Sequence, residues 1–255
     1  MGSIKNVVKV MNFNALLNVD KAIKKASKYK DVGEEITSIL SRIIYNKNIV
    51  LDKNSLNSDP SKPKLNIYIA NDYGFCGNFN SEINKSLRND NDCYKIIIGK
   101  KIIFSDELTL LKIHKDEFYS RFGEIESILR NGIVSNLYSE VNVYYNHYYS
   151  STSFGFIKLQ LFPVKFEGKL YEGEDFITET DISKVLASLL GFYMCYQIIM
   201  CESISEAAEN VLRSQITSSA LDKIEEIEEE NKMLENKKRK EISVKKSVEN
   251  FKKIM

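Results

Sequence analysis

The residues that could support chemistry are few and scattered along this 255-residue chain. The sharpest pattern is NDYGFCGNFN (71–80), in which Gly74 and Gly77 lie between a predicted strand and a predicted helix. Glycines at that place in an α/β fold can cradle an anion at a helix N-terminus. The segment lacks both GxGxxG and the Gly-Lys-Ser/Thr of a phosphate-binding loop. A tight turn is therefore the preferred interpretation, with Asp72 pinning backbone amides and Asn80 or Ser81 capping the helix.

Histidine, cysteine and acidic residues predict no catalytic or metal site. His114 and His147 lack a cysteine or carboxylate at metal-ligand spacing, and no Ser-His-Asp or Cys-His arrangement has a local signature. The four cysteines form no CxxC pair and favour reduced, packed thiols. The acidic run EEIEEE (225–230) has no glycine for an EF-hand loop and is typical of a solvated helix face. We expect no catalytic residue, cofactor or metal on this chain.

Basic residues gather near both ends of the chain. Residues 1–30 hold seven lysines and one aspartate, and residues 237–253 carry a net charge of +6. Such patches could meet nucleic acid, acidic lipid or an acidic protein. Because the whole chain has a net charge of only +1 and Phe251 is the one aromatic residue within 237–253, we expect no nucleic acid. An acidic protein partner is at least as well supported as lipid.

The helix breakers divide the chain into three parts. Gly33 is the only glycine or proline between residues 3 and 57, and neither occurs from Phe192 to Met255. All three prolines lie in the middle of the chain. Since glycine and proline are disfavoured inside helices, long terminal helices flanking a compact domain are predicted. The predicted boundaries are 1–57 for the N-terminal helix, 62–182 for the middle domain and 183–255 for the C-terminal helix.

Each predicted terminal helix carries a narrow apolar stripe with a spacing near 3.5 residues, which is typical of a coiled-coil seam. A stripe this narrow needs a partner, and both helices leave the same domain, so we expect them to pair antiparallel. The N-terminal stripe contains Val8, Met11, Ala15, Val19, Ala22, Ala26 and Tyr29 and resumes with Val32, Ile36, Leu40 and Ile43. The residues predicted to form the seam are Val19, Ala22, Ala26, Ala208, Leu212, Ile216 and Ile224.

The middle part has the pattern of an α/β domain. Short apolar runs predict strands at 65–70, 94–104, 141–149 and 156–164, with helices beginning near Asn80 and spanning Phe118 to Tyr138. Alternation of strands and helices favours a doubly wound sheet.

Membrane insertion is not predicted from the sequence. No stretch reaches the roughly 18 uncharged apolar residues of a membrane span, because the longest candidate, Val185–Cys201, is interrupted by polar residues. The N-terminus lacks the apolar core and cleavage site of a signal peptide. We therefore expect a soluble, intracellular chain.

Four blocks of this sequence resemble the gamma subunit of F-type ATP synthases. NDYGFCGNFN is similar to SDRGLCGGLN, with Asp72, Gly74, Cys76, Gly77 and Asn80 matching and Tyr73 in place of the arginine. The other blocks follow the family's order: VDKAIKKASKYK (19–30) resembles ITKAMxMVAxxK, IIIGKKI (97–103) resembles IGxKG, and SEAAENVLRSQITSSALDKI (205–224) resembles EQAARMxAMxxAxxNA. Together they span nearly the whole chain.

The sequence departs from the family pattern near its C-terminus. Leu234 stands where an arginine is expected, Lys238-Arg239-Lys240 replaces ITQ, and SVKKSVENFKKIM replaces a small apolar tail. In the N-terminal block Ile23 replaces a methionine. In the family these sites include contacts between the rotor and the catalytic ring.

The resemblance implies an α/β protein in which the two terminal helices form a long antiparallel coiled coil beside a Rossmann-like domain. It implies a noncatalytic rotor held in a hexameric ring of alpha and beta subunits, which bind ATP, ADP and magnesium. An epsilon-like subunit and a membrane-side assembly are further implied partners, on the cytoplasmic side of the cell membrane. The basic residues taken as candidates for contact with the ring are Lys21, Lys24, Lys25, Lys28, Lys232, Lys237, Lys238, Arg239 and Lys240.

Three alternatives remain at this point. A specialised F1-like ATPase could use the same kind of rotor to drive a membrane machine other than a proton-translocating ring. A coiled-coil scaffold with a globular head would form a free dimer. A nucleotide-binding enzyme with helical arms would hold its ligand through Gly74 and Gly77.

Overall fold

The computed structural model describes residues 2–45, 59–164 and 181–254. Two long helices, which we call the shaft, flank an α/β domain at 59–164, which we call the head. The helices are α1 (Gly2–Ile44), α2 (Ser81–Asn89), α3 (Phe122–Val134) and α4 (Ile182–Ile254), with a 3-10 turn at Lys115–Glu117. The strands are β1 (Lys64–Ile69), β2 (Cys93–Ile98), β3 (Thr109–Ile113), β4 (Val141–Ser150) and β5 (Ser153–Phe162). The remainder of the predicted 1–57 helix, at 46–57, lies outside the described residues.

The shaft helices run antiparallel, which confirms the predicted fold class. Asn12 near the start of α1 donates a hydrogen bond to the hydroxyl of Thr217 at 3.0 Å, whereas Tyr29 packs against Tyr196 with ring centroids 5.9 Å apart. Residue numbers therefore increase along α1 while those of the α4 residues beside them decrease. The side chains of α1 that are buried repeat every three or four residues and include Ala15, Val19, Ala22, Ala26, Ile36, Leu40 and Ile43.

The seam follows the predicted positions along α1 except at Val32. Val32 is 38% exposed, and the neighbouring Gly33 is buried instead, where an added Cβ would lie 3.0 Å from the amide nitrogen of Gln197. Ile36, Leu40 and Ile43 are buried as expected. A side chain at position 33 would have to displace the end of the flexible Gln197 side chain.

The shaft helices differ greatly in length, so α4 continues alone. Lys5 pairs with Glu228 at 2.7 Å, which places the start of α1 beside that part of α4. Residues 229–254 extend past this pair, and the described side chains from 229 to 247 are all exposed. At 1.5 Å per residue the extension is about 39 Å long. Leu234 is 53% exposed, since it lies beyond the part of α4 that pairs with Lys5. Ile227 is 46% exposed although Lys5 pairs with Glu225 and Glu228 on either side of it.

The head is a five-stranded sheet in the order β3-β2-β1-β4-β5. β1 pairs in parallel with β2 and β4, β2 pairs in parallel with β3, and β5 forms an antiparallel hairpin with β4. The sequence did not predict β3. It merged β2 with the following loop, in which Gly99 adopts a φ of +125° and approaches Ala70 too closely for a side chain.

The first third of α4 covers one face of this sheet. Met194, Cys195, Ile198 and Cys201 lie in the same buried cluster as Ile67 of β1. The helix contains a window with a mean hydropathy of 1.5, which by length and composition alone is sufficient for a membrane span, and 44% of that window is buried within the protein. Packing on both the head and α1 accounts for this apolar composition, because side chains here face core in several directions.

The seam gives a first testable expectation. Ala22 is 1% exposed, so Ala22→Asp places an unpaired carboxylate between the shaft helices and should lower the free energy of unfolding by about 3–5 kcal/mol. Urea unfolding followed by circular dichroism measures this loss. Ser27→Asp adds the same charge at an exposed position one turn away and serves as the control. Equal stability of the two variants would contradict a dry seam at Ala22.

Candidate functional site

The glycine loop at 71–80 fixes the head to α4. Cys76 and Phe79 are 4% and 3% exposed and form a buried cluster with Ala208 of α4, against which Leu212 also packs. Gly77 has a φ of +44°, and a Cβ built there would lie 3.6 Å from Cδ1 of Ile216. The sharp turn at Gly77 therefore allows the apolar side chains of the loop to pack against α4.

Asp72 ties the loop to the ends of two neighbouring strands. Its carboxylate accepts hydrogen bonds from the backbone N–H groups of Lys100, after β2, and Lys115, after β3. This is the predicted pinning of backbone amides. Asn80 behaves differently from the prediction: it occupies the N-cap position of α2 without a capping hydrogen bond, and its side chain instead bonds the side chain of Asn71 at 2.6 Å. Asp72 thus links the loop to the neighbouring strand ends, whereas Asn80 closes the loop on itself.

Burial keeps the loop cysteine in its thiol form. Cys76 lies beside Glu209 and Arg213 of α4, with its sulfur 3.5 Å from the guanidinium. Burial, reinforced by the charge of Glu209, raises the pKa of the Cys76 thiol. A raised pKa disfavours the nucleophilic thiolate, so Cys76 acts as a packed contact of the joint.

The predicted seam residues fall into two groups. Val19, Ala22 and Ala26 of α1 are buried. On α4, Ala208 is fully buried against the head, whereas Leu212, Ile216 and Ile224 are partly buried. Ala208, Leu212 and Ile216 therefore lie against the glycine loop of the head.

Four of the basic candidates share a groove near the head. Lys21, Lys24, Lys25 and Lys28 line a groove of about 540 Å³ together with Tyr29, Val32 and Tyr196. The ammonium group of Lys25 lies 3.8 Å from the centroid of the Tyr119 ring, which anchors it to the head. The other three lysines are exposed. The groove presents a concentrated positive surface to the outside of the shaft.

The other basic candidates lie far from this groove. Lys232, Lys237, Lys238, Arg239 and Lys240 are all exposed on the part of α4 that α1 does not cover. About 35 residues of helix separate them from the α4 residues beside the lysine groove, or roughly 50 Å. The structure thus divides the candidates into a groove at the head and a basic tip.

Sequence reasoning missed a group of exposed apolar side chains on the first turns of α1. Ile4, Val7, Val10 and Phe13 are 56–66% exposed, and Leu16 and Leu17 are also exposed. Because a step of three residues turns a helix by about 300°, these side chains wind around α1 instead of sharing one face. The bare part of α4 also exposes Met233, Leu234, Ile242 and Val244. Exposed apolar surface is typical of an interface with another protein.

A polar contact within the shaft was also missed. The amide of Asn12 donates to the backbone oxygen of Ser214 at 2.9 Å and to the hydroxyl of Thr217 at 3.0 Å. Thr217 is 2% exposed. A satisfied polar contact inside an otherwise apolar seam fixes the register of the two helices.

Comparison with known proteins decides the family. A family model described as ATP synthase matches residues 1–242. The chain belongs to the ATP synthase gamma-chain family. It is 22% identical over 228 residues to the ATP synthase gamma chain of Mycoplasma capricolum, covering 82% of this chain and 80% of the relative. It is also 22% identical over 256 residues to the ATP synthase gamma chain of Amoebophilus asiaticus, covering 93% and 88%.

Solved structures share the fold of this family member. The central stalk of the Tetrahymena thermophila mitochondrial ATP synthase superposes with a TM-score of 0.58 at 16% identity, over 84% of this chain and 99% of that one. A chain of the Euglena gracilis mitochondrial ATP synthase gives 0.51 at 14% identity, over 98% and 94%. The long helix pair with a lateral α/β head is thus the architecture of ATP synthase central stalks.

The family loop supplies a test of its conformation. Gly77→Ala forces a Cβ into a backbone with a φ of +44° and should destabilise the chain by about 1–2 kcal/mol. Gly74→Ala is the matched control, because an added Cβ there has no heavy atom within 4 Å. Urea unfolding of both variants measures the difference. A Gly74 variant at least as destabilised as the Gly77 variant would contradict this account of the loop.

Proposed function

We propose that this chain is the rotor of an F1-type rotary ATPase, turning inside a hexameric ring of alpha and beta subunits. The observation that carries the proposal is the shaft itself, in which α4 runs for 73 residues and extends alone beyond α1. A stiff, asymmetric rod presents a different face to each surrounding subunit. A ring whose nucleotide sites open and close in turn can be coupled to such a rod through those differential contacts.

The lysine groove favours an acidic partner that makes and breaks contact. Lys21, Lys24 and Lys28 are exposed, and an exposed ion pair contributes only about 0–1 kcal/mol. Contacts this weak can re-form on the next subunit as the rod turns. We assign the groove to acidic segments of the ring subunits.

The exposed apolar side chains of α1 support enclosure of the opposite end of the shaft. Phe13 is 61% exposed and Ile4 is 66% exposed, and they lie on different sides of the helix, so a surrounding partner is needed to cover both. Inside a ring these side chains would be buried against the surrounding subunits. Apolar contacts are non-directional, so they would allow the shaft to rotate. We place the bare end of α4, with its basic tip, deepest in the ring.

Catalysis is assigned to the ring subunits, which would hold ATP, ADP and magnesium. In this chain the glycine loop is engaged in binding the head to the shaft, with Asp72 and Asn80 bonded within the protein. The gamma chain would be a peripheral component on the cytoplasmic side of the membrane. An epsilon-like subunit and a membrane-side assembly complete the proposed complex.

Native purification tests the proposal. The tagged full-length chain, isolated gently from its own cells, should co-elute with two related P-loop ATPase subunits in threefold excess over it. The membrane components that co-elute distinguish a proton-translocating ring from another machine. A lone dimer would support a scaffold, and nucleotide retained by the isolated chain would support an enzyme. Either of those outcomes contradicts the rotor.

The lysine groove gives a second expectation. Replacing Lys21, Lys24 and Lys28 together with glutamine should reduce the stall torque of the assembled motor at least twofold and make it less sensitive to salt, because the lost ion pairs are screened. Torque is measured on single motors at low and high ionic strength. The control replaces Lys85, Lys100 and Lys101, which are exposed on the head. Equal torque and salt dependence in both triple variants would exclude the groove as a ring contact.

A further inference from the structure

A buried ionic cluster joins the head to α4 beside the glycine loop. The amine of Lys115, which follows β3, lies 3.1 Å from Oε2 of Glu209 and 3.8 Å from Oε1 of Glu202. These side chains are only 8%, 4% and 4% exposed. The backbone N–H of Lys115 is held by Asp72 at 2.8 Å, so the residue is fixed from both its main chain and its side chain.

The cluster extends at both ends until it includes both shaft helices. The hydroxyl of Tyr119 in the head donates to Glu202 at 2.7 Å, and Lys25 of α1 lies over the Tyr119 ring. At the other end Arg213 donates to Glu209 at 2.6 Å. One continuous network thus follows three turns of α4, with the head on one side and α1 at its end.

The carboxylates in this cluster keep the Lys115 amine charged despite its burial. Burial alone would lower the pKa of Lys115, but the charges of Glu209 and Glu202 outweigh it and raise that pKa, which keeps the amine protonated. Burial and the charge of Glu202 raise the pKa of Glu206, which also faces this cluster. Removing one partner of such a pair leaves a buried charge without compensation.

A buried ion pair is weak evidence for stability, since apolar side chains of similar volume often stabilise a fold as well. The cluster differs from the surrounding contacts because its hydrogen bonds are directional. Many other contacts of the head with α4, such as those of Met194 and Ile198, are apolar and allow small sliding movements. Charged hydrogen bonds are short and depend on alignment, so they resist displacement of the head around the helix axis.

We propose that Lys115, held between Glu202 and Glu209, locks the head to the shaft against twisting. The inference rests on the proposed function, because only a chain that is turned by a ring must carry torque from its helices to its head. Lys115 is a positioning residue in this scheme: it contacts no nucleotide and acts by making head and rod rotate as one body.

Torsional stiffness of the complete complex tests the proposal. The ring is fixed to a surface, and Cys93 is replaced by serine so that it does not react with the bead. The bead is attached to the head through Lys85→Cys on α2 or to the shaft through Lys184→Cys at the start of α4. Both lysines are exposed. Angular fluctuations are recorded while the motor is paused. Lys115→Met should widen the variance of the head bead at least twofold and leave that of the α4 bead unchanged. Equal head-bead variance with and without the substitution would overturn the lock.

Two further arms keep the result interpretable. Lys101→Met, at an exposed site, is the matched control and should leave both beads unchanged. If Lys115→Met prevents assembly, the neutral triple variant Lys115→Met/Glu202→Gln/Glu209→Gln removes the charges together and should show the same widening; unchanged variance in it overturns the lock. Failure of the proposed function itself would be seen earlier, as an unsubstituted chain that assembles with no ring.

Discussion

The close seam between α1 and α4 is the interaction on which the rest of this structure depends. An isolated helix has little stability of its own in water, so most of the stability of a long helix comes from packing one of its faces against another element. Ala15, Ala22 and Ala26 supply that face with almost no side-chain volume, and Val19 adds a larger apolar group among them. Small residues let the helix backbones approach, and the bond of Asn12 to Thr217 sets where along α4 the approach occurs. Without this seam α1 and α4 would not form the shaft to which the head is attached.

The single helix α4 changes its task along its length, and its composition changes accordingly. Its beginning is apolar on several sides because it packs on the sheet of the head and on α1 together. Its middle carries the ionic cluster and the residues at 208–216 that pack on the glycine loop. Beyond Glu228 the described side chains are exposed and almost entirely polar and charged, with four large apolar residues among them. One uninterrupted helix therefore connects the head directly to the end proposed to lie in the ring.

Much of this arrangement could be predicted from the sequence because it depends on local periodicity. The two long helices, their antiparallel pairing and the α/β nature of the head follow from the positions of glycine, proline and apolar residues. β3 was missed because its short run, TLLKI, alternates burial and follows a charged loop. The exchange of Val32 for Gly33 was missed because the stripe was traced through apolar side chains, and glycine has none to include.

The joint could not be predicted, because its partners are distant in sequence. Lys115 and Glu209 are 94 positions apart, and Lys115 belongs to none of the four blocks that mark the family. Only the fold of the sheet, which brings the ends of β1, β2 and β3 to one edge, places Lys115 next to Asp72 and α4. Sequence patterns give the elements, whereas contacts between their ends depend on topology.

The substitution of tyrosine for the family arginine in the glycine loop fits this joint. The hydroxyl of Tyr73 bonds Asp116 at 2.7 Å, and its ring lies 5.9 Å from the guanidinium of Arg213 on α4. Hydrogen bonding to Asp116, with added burial, raises the pKa of Tyr73, so the hydroxyl remains a donor. Arg213 of α4 thus places a cation beside the loop, where it pairs with Glu209. The boundary between the head and the shaft therefore combines an aromatic ring from the loop with an ion pair from the helix.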